Sequence, residues 1–111
     1  MRFLLLLHGT ESTEAELSAD ERRRIVDEHL TFGRELRDTG RLVMGEALGS
    51  SSDAKIVRDG AVVDGPFAET KEQLGGFYVV DAPALDDAIE IARRVPGSPG
   101  LAVEVRQISE M

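Results

Sequence analysis

Asp64-Gly65-Pro66-Phe67-Ala68-Glu69-Thr70-Lys71-Glu72-Gln73-Leu74-Gly75-Gly76-Phe77 runs directly into Tyr78-Val79-Val80. Gly65-Pro66 excludes regular structure at that point, because proline lacks an amide donor and glycine favours turns. Phe67 to Leu74 contains reasonable helix formers in Glu69, Glu72 and Gln73, so a single helical turn is expected there. Phe77 to Val80 is aromatic and β-branched throughout and reads as a strand. Phe77 and Val79 point to one face of that strand and Tyr78 and Val80 to the other, so the sheet it joins is apolar on both sides.

Immediately upstream, Ala54 to Arg58 and Ala61 to Val63 flank Asp59-Gly60, the pair a type I′ hairpin turn selects because both central residues need positive φ. Before the hairpin, Gly49-Ser50-Ser51-Ser52-Asp53 reads as a flexible loop and Arg41 to Leu48 as a strand. Further back, Ser18-Ala19-Asp20-Glu21 has the form of a capping box. Ile25, Val26, Leu30, Phe32 and Leu36 then recur at helical spacing, and Gly40 is placed to end the helix. Gly33 is a mild penalty in its interior, or a place of close backbone approach. Gly9 to Leu17 is polar and reads as a loop. Phe3 to Leu7 is a short apolar run of the length of a strand covered on both faces.

Downstream, Pro83 suits the first turn of a second helix with Leu85, Ala88, Ile89, Ala92 and Val95 as its stripe. Pro96-Gly97 stops it. Leu101 to Arg106 is the last strand, with Val103 and Val105 on one face and Glu104 and Arg106 on the other, toward solvent or a partner's charges. The order is strand, helix, strand, hairpin, strand, helix, strand. Setting the hairpin aside leaves βαββαβ: an α+β, ferredoxin-like unit with an antiparallel sheet and both helices on one face. Two helices cover one face, and a second subunit is the simplest cover for the other.

The totals narrow the function. The chain has 111 residues, one domain's worth, and a domain of this size has a thin core. Its formal charge of −8 opposes binding to a nucleic-acid backbone. The one basic run, Arg22-Arg23-Arg24, is flanked by Asp20, Glu21, Asp27 and Glu28 and reads as a solvated helix face. With no cysteine, disulfides, thiolate catalysis and Cys-ligated zinc are excluded, in keeping with a cytoplasmic chain. The five apolar residues from Phe3 to Leu7 are too few for a signal-peptide core, and no run approaches a membrane span. His8 and His29 have no further ligand at helical or hairpin spacing, so no metal is expected. Gly75-Gly76 lacks the lysine of a phosphate loop, so no nucleotide cofactor is expected either.

The nonapeptide Asp64 to Glu72, followed by Gly75-Gly76-Phe77, resembles the signature of the DGPF-type proteins of the YCII-related family. Leu4 to Leu7, the helix carrying His29, Leu42 through Gly45-Glu46, and Val103 to Arg106 extend the resemblance over nearly the whole chain. It implies a ferredoxin-like fold that pairs into a dimeric α/β barrel, found in bacteria. It also implies two functional alternatives. One is a cofactor-independent acid–base centre acting on a small molecule, in a lyase or isomerase step. The other is a non-enzymatic regulatory or ligand-binding dimer associated with extracytoplasmic-function sigma factors. In the wider family a histidine and an aspartate form the proposed centre. The histidine matches His29, while the aspartate's region here reads Arg94-Val95-Pro96, so the family carboxylate is missing.

His29 lies on or beside the apolar stripe of its helix and titrates near neutrality. A core histidine bonded to a carbonyl would show the same spacing. Asp64 is the first candidate to replace the missing carboxylate as its orienter, although an aspartate before Gly-Pro also forms a local Asx-turn. Lys71 is the candidate electrophile, unless it belongs to an exposed ion-pair network with Glu69 and Glu72. Phe67, Glu69 and Tyr78 are the remaining candidates to contact a substrate; Tyr78 could donate its phenolic proton, although a half-buried strand aromatic would read the same.

Overall fold

A computed structural model describes residues 1–110 of the chain. Six strands and three helices follow in the order β1 (Arg2–Gly9), α1 (Glu11–Ala15), α2 (Ala19–Asp38), β2 (Leu42–Ala47), β3 (Lys55–Arg58), β4 (Ala61–Asp64), β5 (Gln73–Asp81), α3 (Leu85–Arg93) and β6 (Ala102–Gln107). The fold is α+β. Four strands form one antiparallel sheet in the order β2-β5-β1-β6, and β3 and β4 form a separate two-stranded hairpin.

Strand register sorts the side chains. Phe3, Leu5 and Leu7 on β1 stand opposite Val80, Tyr78 and Gly76 on β5, and opposite Gln107, Val105 and Val103 on β6. This face meets the helices: Phe3, Leu5, Leu7 and Val80 are buried with Phe32 and Leu36 of α2 and Ala88 and Ile91 of α3. The opposite face carries Leu4, Leu6, Phe77 and Val79, in register with one another. All four are only half-buried, because no helix lies on them. His8 and Glu104 share that face and meet at 3.0 Å across β1 and β6.

Helix α2 begins and ends where its sequence directs. The amide of Glu21 donates to Ser18 Oγ at 3.1 Å, and the amide of Ser18 donates to a Glu21 carboxylate oxygen at 3.3 Å. At the other end Gly40 takes φ 72°, its amide donates to Arg37 O, and the amide of Arg41 donates to Leu36 O. That pair of bonds is the Schellman arrangement, which needs a left-handed residue at this position. The hairpin turn is equally direct, with φ 50° at Asp59 and 82° at Gly60.

Four expectations change. The polar stretch after Gly9 is not all loop: Glu11 to Ala15 form a single helical turn. No amphipathic period could reveal it, because tertiary contacts hold it. The Arg22 guanidinium donates to the Ala15 carbonyl at 3.0 Å, and the Glu11 carboxylate accepts from the amide and hydroxyl of Ser51, each at 2.9 Å. Ser51–Asp53, read as flexible, is accordingly a pinned 3-10 turn. The helical turn expected between Phe67 and Leu74 is absent, and Gln73 and Leu74 already belong to β5. Cross-strand pairing with β1 prevails there over local propensity. In α3, Ile91 is buried while Leu85 is exposed, so the packed stripe is Ala88, Ile91, Ala92 and Val95.

Among the described residues no helix is long and apolar enough to cross a membrane.

Candidate functional site

The site is built where α2 crosses β5. His29 projects from the second half of α2 and Tyr78 from the helix-facing side of β5, and His29 Nδ1 lies 2.7 Å from Tyr78 Oη. Their rings are nearly parallel, with centroids 6.0 Å apart and an interplanar angle of 21°. Phe32, one turn after His29, meets the Tyr78 ring edge-on at 5.3 Å. Gly45 of β2 stands directly opposite Tyr78 in register. A Cβ at position 45 would lie 2.5 Å from a Tyr78 ring carbon. The aromatic ring thus occupies space that only glycine leaves at position 45, and its hydroxyl is held at His29.

Burial sets the protonation states. Both rings are half-buried. Desolvation pulls the His29 pKa below its ordinary value, partly opposed by the nearby Glu28 carboxylate. Desolvation pushes the Tyr78 hydroxyl above its ordinary value. At neutral pH the imidazole is therefore uncharged and the phenol keeps its proton. The pair can share one hydrogen bond, leaving either a ring lone pair or an N–H for other chemistry. His29 Nε2 makes no hydrogen bond to another described residue.

Two cavities meet at His29. One, of about 590 Å³, runs between α2 and the β2–β5 edge and is bordered by Leu30, Gly33, Arg34, Arg37, Leu42 and Tyr78. The other, of about 660 Å³, lies toward α1 and the turn after α3, among Glu11, Leu17, Ile25, Ser50, Ser98 and Leu101. Leu7, Val26, His29, Ala47 and Gly75 border both. Gly75 sits where the β1–β5 register slips between Leu7 and His8, a β-bulge that bends β5 beside the imidazole. Val26 and Leu30, expected in the buried stripe of α2, instead remain 56% and 60% exposed at the rim. Only the part of the stripe nearest the sheet, Phe32 and Leu36, is buried.

Of the six residues singled out from sequence, the structure brings together His29 and Tyr78. Asp64 does not reach His29 in this chain: its side chain is 85% exposed and pairs with Lys55 across the β3–β4 hairpin. Phe67 is 77% exposed, with the Arg58 guanidinium 5.7 Å from its ring centroid. Glu69 and Lys71 lie on the exposed segment between β4 and β5. None of these four borders the two cavities. The expected carboxylate partner of His29 is replaced by a phenol. The reading of Tyr78 as a substrate contact missed its bond to His29, since 49 residues separate the two. Gly45, Arg34 and Arg37 were not singled out. A glycine inside a strand was the available signal for the first.

The family model of the YCII-related domain matches residues 1–111. An uncharacterised protein of Rhizobium meliloti (strain 1021) is 36% identical over 97 residues, covering 84% of this chain and 78% of the relative. With the match spanning every element described above, the chain belongs to the YCII-related domain family.

Proposed function

We propose that the protein is a cofactor-independent acid–base catalyst for a small organic molecule, with His29 as base and Tyr78 as its partner. The observation that carries this reading is the 2.7 Å bond between two half-buried groups at the junction of two cavities. With the proton on Nδ1, that N–H donates to the phenolic oxygen and Nε2 keeps a free lone pair. A carbon-bound proton beside a carbonyl moves to Nε2, and its electron pair passes to the carbonyl oxygen as an enolate. The Tyr78 O–H donates to that oxygen. Return of the proton to another carbon is isomerisation, and departure of a leaving group from the neighbouring carbon is elimination. The lowered His29 pKa keeps the base free at neutral pH. The test is solvent exchange in D₂O with a panel of enolisable ketones and keto acids. Exchange should occur above the buffer rate and be lost in His29→Gln. Exchange that persists unchanged in His29→Gln contradicts the reading.

The active form we propose is a homodimer in which the β2-β5-β1-β6 sheet, in ferredoxin-like order, pairs face to face with a second copy as an α/β barrel. Two observations support it. The face bearing Leu4, Leu6, Phe77 and Val79 lacks a helical cover. The β3–β4 hairpin stands as its own two-stranded sheet with Val57, Val62 and Val63 all more than half exposed, and such a hairpin is marginal in water without a neighbour.

A further inference from the structure

The flank of α2 that faces the β2 edge changes character along its length. Val26 and Leu30 come first, one turn apart and exposed at the cavity rim. Arg34 follows one turn later and Arg37 a turn beyond that, both on the same cavity. Among the described residues seven arginines make no ion pair, and of these Arg34 and Arg37 border the cavity that His29 and Tyr78 border. In a chain of net charge −8 with 21 acidic side chains, this cavity has two guanidinium groups against the one carboxylate of Glu46, and the surplus positive charge at its Arg34–Arg37 end makes a local site for an anion.

Between the apolar and cationic halves sits Gly33. An interior helical glycine is destabilising relative to alanine, and a structural reason for it would be another backbone packed close. No such contact exists: a Cβ at position 33 would meet no atom within 4 Å, and the residue borders the cavity. Gly33 leaves open space in the same cavity that His29, Arg34 and Arg37 border. The helical rise places the Arg34 Cα roughly 7.5 Å further along the axis than that of His29, so a charge held there belongs to a group several bonds from the reacting carbon.

We propose that this cavity takes a small organic carboxylate, its anionic end held by Arg34 and Arg37, its apolar body against Leu30 and Leu42, and its far end at His29. As an assignment of substrate class it rests on the acid–base reading of His29, but its test needs no turnover. The probes are 4-phenylbutyrate and its neutral analogue 4-phenyl-1-butanol, titrated into the full chain by calorimetry while the His29 ring signals are followed by NMR. The acid should move the His29 signals and bind at least tenfold more tightly than the alcohol. The double variant Arg34→Gln/Arg37→Gln, on an exposed helix surface, should lower the acid's affinity about tenfold and leave the alcohol's nearly unchanged. Gly33→Leu should abolish binding of both, and the smaller Gly33→Ala should weaken it with the circular-dichroism spectrum intact. Equal affinity for acid and alcohol, full affinity of the acid for the double variant, or no binding of either probe overturns the assignment. The protonation behaviour of ligand-free His29 and Tyr78 separately decides the catalytic pair, so the two failures are distinguishable.

Discussion

Tyr78 stands where it does because position 45 has no side chain. A methyl group there would lie within 2.5–2.7 Å of two ring carbons, and the same ring is also packed edge-on against Phe32. Gly45→Ala should therefore displace the phenol from His29. The expected result is a folded protein destabilised by about 1–3 kcal/mol, the usual range for overpacking, whose His29 titration no longer depends on Tyr78. Denaturant unfolding and NMR check the two halves. The same residue scale sets a pH dependence. The folded His29 pKa is below its unfolded value, so in the window between them the unfolded chain binds the extra proton. Stability contributed by neutral His29 is complete above pH ~6.5 and declines as pH falls toward the folded pKa. Comparison of thermal unfolding at pH 7.5 and 5.5 should show a smaller loss in His29→Gln than in the native chain. Little of this was legible beforehand. The spacing of Ile25, Val26 and Leu36 placed His29 near the core, but its partner comes from a distant strand. Asp64, suggested by charge and sequence context, is drawn away by Lys55 at the adjoining end of its own hairpin.

At the scale of elements, local chemistry that closes within a few residues was readable and chemistry that depends on neighbours was not. The capping box at Ser18, the Schellman end at Gly40 and the Asp59-Gly60 turn each involve bonds within five residues, and each forms as its sequence directs. Ser18→Ala removes the acceptor for the Glu21 amide and should destabilise the protein by about 1 kcal/mol, read by denaturant unfolding. The single turn α1 and the early start of β5 escaped notice because Arg22, Ser51 and the β1 ladder hold them from outside. The apolar period of α2 was correct as a pattern but overstated as burial. Its outer rank, Val26 and Leu30, lines an opening instead of the core.

For the whole molecule, the antiparallel sheet with helices on one face follows from the order of elements and the two-sided apolar character of β5. The radius of gyration is 15.2 Å, against about 13 Å for a compact chain of this length, and the thinnest dimension is 18 Å beside 43 and 40 Å. A flat body with a bare sheet face and a hairpin apart from its main sheet has much surface to cover, and a second copy covers it by symmetry. Light scattering should give a mass near twice the 12.1 kDa of one chain, and Leu6→Lys, at the centre of the bare face, should shift it toward a single chain. A native mass of one chain contradicts the dimer and leaves the His29–Tyr78 pair untouched, since that pair lies on the helix side.

The most direct test of the catalytic pair is an NMR pH titration of His29 in the native protein and in Tyr78→Phe, with His8, the one other histidine, assigned by a single His8→Gln variant. The pairing predicts that His29 titrates below the ordinary histidine value and that removing the phenolic oxygen changes both its pKa and its tautomer, read from the ring ¹⁵N shifts. A His29 that titrates at the ordinary value and is indifferent to Tyr78→Phe would contradict it.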